Sequence, residues 1–326
     1  MPAFPATRLR RSRRTPGLRD LVRESRVGPA DLIQPLFFHG GKGDVPITTM
    51  PGQSRHDMDG LLRQAERAQA AGVRAIALFP RIDDADKSLD GAAAWDPNGL
   101  VPRALRRLRE ATGDLLVIAD VALDPYSSLG QDGIVVDGRI DNDRTLAALA
   151  RQAVCLAQAG APILGPSDMM DGRVGTLRRA LDEAGATDVL IFSYAAKYAS
   201  CFYGPFRHAL DSAPRGGADK ATYQMDPANT DEALVEVALD LEEGADWVMV
   251  KPGLAYLDIV WRVKERFGRP TFAYQVSGEY AMIEAAAAMG ALDRRSAILE
   301  TLTSFKRAGA DGILTYWATE AAAWLR

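Results

Sequence analysis

The chain has 326 residues, a normal length for one α/β barrel. Hydrophobic residues make up 47%, charged residues 25%, and the net charge is −4, which argues against a nucleic-acid-binding body. No apolar run approaches the roughly 20 residues of a membrane span, and none follows the N-terminal arginines as in a secretory signal. The two cysteines fit neither a metal site nor a disulfide scaffold. We therefore expect a cytoplasmic protein with no membrane partner.

The N-terminal segment departs from this average composition. Residues 8–14 contain five arginines, and Thr15-Pro16-Gly17 follows them. Such a run can bind nucleic acid or an anionic surface, or it can lie against another subunit as an arm. It has no interleaved aromatic residue and no known nucleic-acid motif. We therefore predict an oligomerisation arm at residues 1–30 and a catalytic domain at residues 31–326, with no nucleic-acid partner.

Eight short apolar runs follow the arm, and each is predicted to be a β-strand. They are Ile33–Phe38, Ala75–Phe79, Leu115–Ala119, Pro162–Leu164, Val189–Ser193, Trp247–Val250, Thr271–Gln275 and Gly312–Tyr316. Longer segments with helical spacing lie between them. Examples are Asp57–Ala71, Thr145–Ala159, Gly175–Ala184, Thr230–Glu243, Tyr256–Arg266 and Arg294–Ala308.

The alternation of strands and helices is typical of parallel βα units, and several helices end in a glycine that can form the C-cap. Eight such units predict an α/β fold of the (β/α)₈ TIM-barrel type. An open doubly wound sheet is the alternative, but no glycine-rich phosphate loop follows the first strand. The C-terminal strand ends of a barrel carry function, and here they are polar. They are His39, Pro80, Arg81, Asp120, Ser167, Asp168, Lys197, Lys251, Ser277 and Tyr316.

Two of these residues are lysines at the ends of successive predicted strands. Lys251 follows Val248-Met249-Val250 and precedes Pro252, and Lys197 follows the apolar run 189–196. A lysine amine is nucleophilic only when neutral, and burial or a nearby cation favours that form. The two lysines are therefore predicted to activate each other as nucleophiles. The alternative is a pair of lysines that leave the sheet into solvent.

Four segments resemble motifs of the 5-aminolevulinate dehydratase (porphobilinogen synthase) family. Met249–Pro252, with Tyr256–Val260 after it, is similar to the Schiff-base segment, and Ser193–Arg207 is similar to the second-lysine segment. Gly165–Arg173 and Val276–Tyr280 are similarly close, and the resemblance extends from about residue 32 to the C-terminus. It implies condensation of two 5-aminolevulinate molecules to porphobilinogen with loss of two waters, in haem and chlorophyll (tetrapyrrole) biosynthesis. It also implies a homo-octamer or homo-hexamer with N-terminal arms.

The resemblance implies roles for individual residues as well. Lys251 would hold the first-bound substrate and Lys197 the second, and Asp120 would orient or accept protons at a substrate amino group. Residues 213–224 would form a lid over the site. Polar side chains would bind the two substrate carboxylates: Ser277, Tyr316 and Tyr274 for the first substrate, and Arg207, Lys220 and Gln224 for the second. Position 220 is often arginine in the family, so Lys220 keeps the charge without the planar fork.

The segment after the third strand bears on metals. Zinc-dependent relatives have three cysteines where this chain has Ala122, Asp124 and Asp132, so no active-site zinc is expected. Asp124 and Asp132 are expected to hold Mg²⁺ or K⁺ through water, or to act without metal as acid–base groups or polar supports. By the resemblance, Glu236 would hold an allosteric Mg²⁺. Whether the enzyme needs any metal stays open.

Two other functions are weighed beside this one. The first is a class I aldolase-like barrel that uses only Lys251. The second is a nucleic-acid-associated protein that binds through the arginine-rich arm, which salt-dependent binding of full-length and arm-deleted chains would test.

Overall fold

A closed barrel of parallel strands forms the centre of the computed structural model, which describes residues 3–212 and 219–325. Each strand pairs with the next in chain order, and the last pairs with the first through Leu32 and Ile313. This closure confirms the predicted (β/α)₈ fold and rules out the open sheet. The strands are β1 (Leu32–His39), β2 (Ala75–Arg81), β3 (Leu116–Val121), β4 (Ile163–Pro166), β5 (Leu190–Lys197), β6 (Trp247–Lys251), β7 (Thr271–Tyr274) and β8 (Gly312–Leu314).

Helices surround the barrel and return the chain from one strand to the next. Three of the described helices begin after an aspartate that caps them: Asp57, Asp141 and Asp293 accept backbone N–H bonds from Gly60, Arg144 and Ser296. The helices are α1 (Pro16–Leu21), α2 (Met58–Ala70), α3 (Leu100–Thr112), α4 (Asn142–Gln158), α5 (Arg173–Glu183), α6 (Gly204–Leu210), α7 (Asp231–Glu242), α8 (Leu257–Phe267), α9 (Ser277–Ala288), α10 (Arg294–Arg307) and α11 (Ala318–Trp324). Within the described ranges, no helix combines the length and apolarity that membrane crossing requires.

Strands β5 and β6 extend further than their apolar runs predicted, because each includes its terminal lysine. The backbone pairing continues past the apolar residues: the N–H of Tyr198 donates to the carbonyl of Lys251, and the N–H of Met225 to that of Lys197. Asp120 likewise lies inside β3 and not after it. Lys197, Lys251 and Asp120 are thus held by the sheet itself.

The pairing of β5 with β6 shifts by one residue. Val248 pairs with Ser193, whereas Val250 pairs with Ala196, so β5 carries one more residue than β6 across this interval. Beyond the shift, Lys251 pairs with Lys197. The two lysines are therefore direct neighbours on adjacent strands.

The N-terminal segment lies outside the barrel. A 3₁₀ turn at Leu9–Arg13 precedes α1, and no residue in either is buried. The apolar side chains of Leu9 and Leu21 are 71% and 83% exposed. The segment therefore makes little contact with its own barrel, and its role as an oligomerisation arm stays a prediction. Residues 1–2, and residues 213–218 of the predicted lid, lie outside the described residues.

Candidate active site

Lys251 and Lys197 are both buried at the C-terminal ends of their strands, with 5% of each residue exposed. The prediction of a lysine pair inside the barrel mouth therefore holds, and the solvent-exposed alternative does not. A pair of buried amines on neighbouring strands is costly unless one of them is neutral or both have counter-charges. The two lysines meet this requirement in different ways.

Lys251 lies in a cage of aromatic rings. Its Nζ is 4.7 Å from the ring centroid of Tyr274, 5.0 Å from those of Tyr194 and Phe206, and 5.4 Å from that of Tyr203. Burial, followed by the charge of Lys197, lowers the pKa of Lys251 to about 7. At neutral pH a large fraction of this amine is therefore unprotonated and can attack a ketone.

Lys197 is held by acceptors. Its Nζ donates to the backbone carbonyl of Ser167 and lies 3.4 Å from Asp132 Oδ1. Asp132 also accepts from Lys220 Nζ at 2.8 Å and from the Tyr223 hydroxyl at 2.7 Å. Although burial alone would raise the pKa of Asp132, the charges of Lys197 and Lys220 outweigh it and lower that pKa. An ionised Asp132 thus links Lys197 to Lys220.

Asp120 lies on β3 between two opposing influences. Burial, followed by the charge of Asp124, raises the pKa of Asp120 to about 7, while Lys251 and Lys197 act in the opposite direction. Its Oδ1 is buried and has no hydrogen-bond partner among the described residues. A carboxyl group with this pKa can accept or release a proton near neutral pH.

The side chains predicted for the second carboxylate line the same cavity. Lys220 is buried, and its Nζ is 3.5 Å from Asp124 Oδ2 as well as bonded to Asp132. Burial alone would lower the pKa of Lys220, but these two carboxylates raise it. Gln224 is buried with its Oε1 unpartnered in the described structure, and Arg207 is half-buried. Lys220 is therefore charged and already engaged by protein carboxylates.

The side chains predicted for the first carboxylate include one ring of the aromatic cage, that of Tyr274. The hydroxyls of Tyr274 and Tyr316 are 3.0 Å apart, and burial raises the pKa of both, so they remain protonated donors. Ser277 is the first residue of α9; its Oγ accepts from the N–H of Phe206 at 2.9 Å and donates to the carbonyl of Phe202 at 3.3 Å. The Ser277 hydroxyl is thus engaged by backbone groups.

The cavity between the lysines is small, about 30 Å³, which is room for about one water molecule. Tyr274, Ser277 and Tyr316 do not line it. Two substrate molecules would therefore not fit between the lysines unless some of the lining side chains moved. The predicted residues that line the cavity are Lys251, Lys197, Asp120, Asp124, Asp132, Arg207, Lys220 and Gln224.

Glu236 lies in a different cleft. This cleft has a volume of about 790 Å³, and Asp171, Asp226 and Glu232 also line it. Burial raises the pKa of Glu236, although Arg173 opposes the shift. In the described part of the chain, no group of three His, Cys, Asp or Glu side chains is placed to hold a metal ion. Glu236 thus does not line the lysine cavity, and its role as a metal ligand stays a prediction.

The sequence prediction assigned Tyr274 to a substrate carboxylate but did not assign the other three rings of the aromatic cage. Tyr194, Tyr203 and Phe206 fall in the segment that resembles the second-lysine motif. Tyr194 and Lys197 are three residues apart, so regular strand alternation would place them on opposite faces. The repeated aromatic residues beside an active-site lysine were the available signal.

The lowered pKa of Lys251 predicts a pH dependence. Below pH 7 the neutral fraction of its amine falls about tenfold per pH unit, so Schiff-base formation should rise up to about pH 7 and then level off. Cyanoborohydride trapping of the adduct between pH 5 and 9 measures it. In Asp120→Asn the midpoint should move to lower pH, because a negative charge that stabilises the ammonium is lost. A midpoint near pH 10 would contradict the prediction.

Comparison with known proteins places this site in a family. The family model "Delta-aminolevulinic acid dehydratase" matches residues 6–324. The chain is 55% identical to the chloroplastic delta-aminolevulinic acid dehydratase of Physcomitrium patens over 327 residues, which span 100% of this chain and 74% of the relative. It is 54% identical to the Bradyrhizobium diazoefficiens enzyme of that name over 322 residues, which span 98% and 91%.

A solved structure agrees with these sequence matches. The crystal structure of delta-aminolevulinic acid dehydratase (porphobilinogen synthase) from Toxoplasma gondii ME49, in complex with the reaction product porphobilinogen, superimposes with a TM-score of 0.96. The sequences are 52% identical, and the match covers 98% of this chain and 91% of the other. The chain therefore belongs to the delta-aminolevulinic acid dehydratase family.

Proposed function

We propose that Lys251 and Lys197 each form a Schiff base with one substrate molecule in the reaction of this family. That reaction condenses two molecules of 5-aminolevulinate (delta-aminolevulinic acid) to porphobilinogen with loss of two waters in tetrapyrrole biosynthesis, and the protein is a hydro-lyase that carries it out. The observation that carries the proposal is the pairing of two buried lysines, one beside the other, at the barrel mouth. Each of the two substrate molecules has one ketone, so each of the two lysine amines can form a Schiff base with one of them.

The environments of the two amines differ as the proposal requires. Lys251 has aromatic neighbours and a pKa of about 7, so it is ready to attack the ketone of the first substrate. The resulting iminium draws electrons from the adjacent carbon and eases its deprotonation. Asp120, with a pKa near 7 and one free oxygen among the described residues, is proposed to take or return protons at a substrate amino group.

Lys197 would react after its counter-ions rearrange. Asp132 now bridges Lys197 and Lys220. A carboxylate of the second substrate, bound by Arg207, Lys220 and Gln224, would replace Asp132 at Lys220 and relieve the crowding of the small cavity. On the other side, Ser277, Tyr274 and Tyr316 offer hydroxyl groups for the carboxylate of the first substrate.

Reductive trapping tests the two-lysine proposal against a one-lysine aldolase-like reaction. Enzyme incubated with 5-aminolevulinate and borohydride, then analysed by peptide mass, should carry adduct at Lys251 and, at saturating substrate, at Lys197. The variant Lys197→Arg keeps a cation near Asp132 and should still be trapped at Lys251 while making no porphobilinogen. Normal porphobilinogen formation by this variant would contradict the proposed role of the second lysine.

We propose that the active site needs no zinc. The positions that hold cysteines in zinc-dependent relatives are Ala122, Asp124 and Asp132, and the two aspartates are engaged by Lys220. Without thiolates the donor set does not suit tetrahedral zinc. Asp124 and Asp132 are proposed to act as charged supports of the lysines. Porphobilinogen formation should therefore persist in a zinc-specific chelator. Complete loss that only Zn²⁺ restores would show the opposite.

Glu236 is proposed as the protein ligand of a regulatory Mg²⁺. One carboxylate with several waters is a usual coordination for Mg²⁺, and the surrounding cleft is large and acidic. The bound ion would neutralise part of this negative charge. Glu236→Gln should remove any activation by added Mg²⁺ while leaving the basal rate unchanged.

The N-terminal arm is proposed to join subunits of a homo-octamer or homo-hexamer. Its apolar side chains, such as Leu18, Leu21 and Val22, are exposed on this single chain, and burial against a neighbouring barrel would remove them from water. Sedimentation of a chain that lacks residues 1–27 should reveal a smaller assembly. An unchanged assembly would contradict the proposed arm.

A further inference from the structure

Glu279 is a buried carboxylate to which the reaction assigns no role. It lies in the first turn of α9 and is 1% exposed. Its Oε1 accepts the backbone N–H bonds of Leu254 at 2.7 Å and Ala255 at 3.3 Å, and its Oε2 accepts that of Val276 at 2.7 Å. Burial raises the pKa of Glu279 to about 7, while these backbone N–H bonds oppose the shift and favour the ionised form. The side chain therefore serves as an acceptor for two separate backbone segments.

These segments carry the residues proposed for the first substrate. Leu254 and Ala255 belong to the loop that directly follows Lys251 at the end of β6. Val276 directly precedes Ser277, the first residue of α9. Glu279 thus spans from the turn behind the Schiff-base amine to the start of the helix that presents the serine hydroxyl.

Both segments are closely packed at a glycine, so that little space is left for their backbone to move. A Cβ on Gly253 would lie 2.6 Å from Cε1 of Phe305 and 2.9 Å from the carbonyl oxygen of Tyr274. A Cβ on Gly278 would lie 2.6 Å from the carbonyl oxygen of Phe202. Close packing at the two glycines holds each segment against its neighbours. The hydrogen bonds of Glu279 hold the two segments to each other.

We propose that Glu279 is a positioning residue that sets the distance between the Lys251 amine and the Ser277 hydroxyl. The ketone and the carboxylate of the first substrate would then meet their partners at the same time. This inference rests on the proposed roles of Lys251 and Ser277. A misplacement of about 1 Å in such a site lowers the rate on the order of 100-fold.

Two variants and one matched control test the proposal. Glu279→Gln keeps the shape but presents an amide N–H₂ to one of the backbone donors. Glu279→Asp is one methylene shorter, so it should keep the hydrogen bond from Val276 and lose the hydrogen bonds from Leu254 and Ala255, in the loop after Lys251. The control is Asp57→Asn, since Asp57 also joins a loop to a helix start, by accepting from Gly43 and Gly60 at 2.7 Å, away from the lysines.

Borohydride trapping with subsaturating 5-aminolevulinate provides the readout. We expect both Glu279 variants to reduce the initial rate of adduct formation at Lys251 on the order of 10- to 100-fold, with adduct at Lys197 under saturation unchanged. Asp57→Asn should lower the melting temperature and leave both adducts at the wild-type rate. If Glu279→Gln does not fold, the same measurement on Glu279→Asp decides the question.

Three results would overturn the proposal. Wild-type trapping at Lys251 in the folded Glu279 variants would show that the carboxylate does not position the amine. An equal loss at Lys251 and Lys197 would show a general structural role. A wild-type enzyme with no adduct at Lys251 would remove the proposed function on which the inference rests, and this failure is visible before any variant is made.

Discussion

Porphobilinogen formation by Lys251→Ala is expected to fall by about 10⁴-fold or more, because the variant has no amine to form the first iminium. Lys197 does not substitute for it, since its Nζ is bonded to the Ser167 carbonyl and to Asp132. The fold should persist, since removing a buried amine removes its desolvation penalty. Steady-state rates and melting curves measure both effects.

Lys306→Ala is the control for this experiment. Truncation of Lys306, which lies on α10 and outside the cavity, removes an ion pair to Asp31 at 3.1 Å. A partly exposed pair contributes little to stability, so the control should have a nearly native rate and melting temperature. A near-native rate in Lys251→Ala would disprove the Schiff-base mechanism proposed here.

Asp132→Asn is expected to lower both stability and activity. The substitution keeps the shape but leaves Lys197 with no counter-ion in the described structure and Lys220 with only Asp124 at 3.5 Å. Removing one partner of a buried ion pair costs about 3–5 kcal/mol. Urea denaturation should reveal a loss of this size, and kcat/KM should fall because both lysines lose their orientation.

Asp124→Asn separates the effect of Asp132 from a general loss of charge. Asp124 contacts Lys220 alone among the lysines, and at the longer distance, so its substitution should destabilise the protein less and leave Schiff-base formation at Lys197 close to native. If the two variants were equally destabilised, the bridge through Asp132 would not be the main support of Lys197.

The barrel could be predicted from the sequence because buried parallel strands are near-continuous apolar runs. Trp247–Val250 was predicted and Trp247–Lys251 is observed. The residue that the prediction left out of the strand is Lys251. Its hydropathy indicates a loop, although its backbone still pairs with that of Lys197. The same pattern predicted the two nucleophiles, since a polar residue that ends an apolar run in a barrel lies at the mouth.

The charged network around Lys197 could not be predicted in this way. Asp132 is 65 residues from Lys197 and 88 from Lys220 along the chain, and it lies in the loop between β3 and α4. No local periodicity specifies where such a loop places a carboxylate. The comparison with zinc-dependent relatives drew attention to Asp132 as a metal ligand, an acid–base group or a polar support, without naming its partners. Its contacts are two lysines, Lys197 and Lys220, and the Tyr223 hydroxyl.

The one-residue shift between β5 and β6 lets two side chains at an odd spacing face one cavity. Tyr194 faces the Lys251 amine and Lys197 faces the same cavity, although they are three positions apart along β5. Without the shift, regular alternation at this spacing would turn either the tyrosine or the lysine outward. Evolution can therefore change the side chains at positions 195 and 196 within the limits of packing, but a change that removes the shift and keeps the spacing would take one of the two groups out of the cavity even if the barrel still closed.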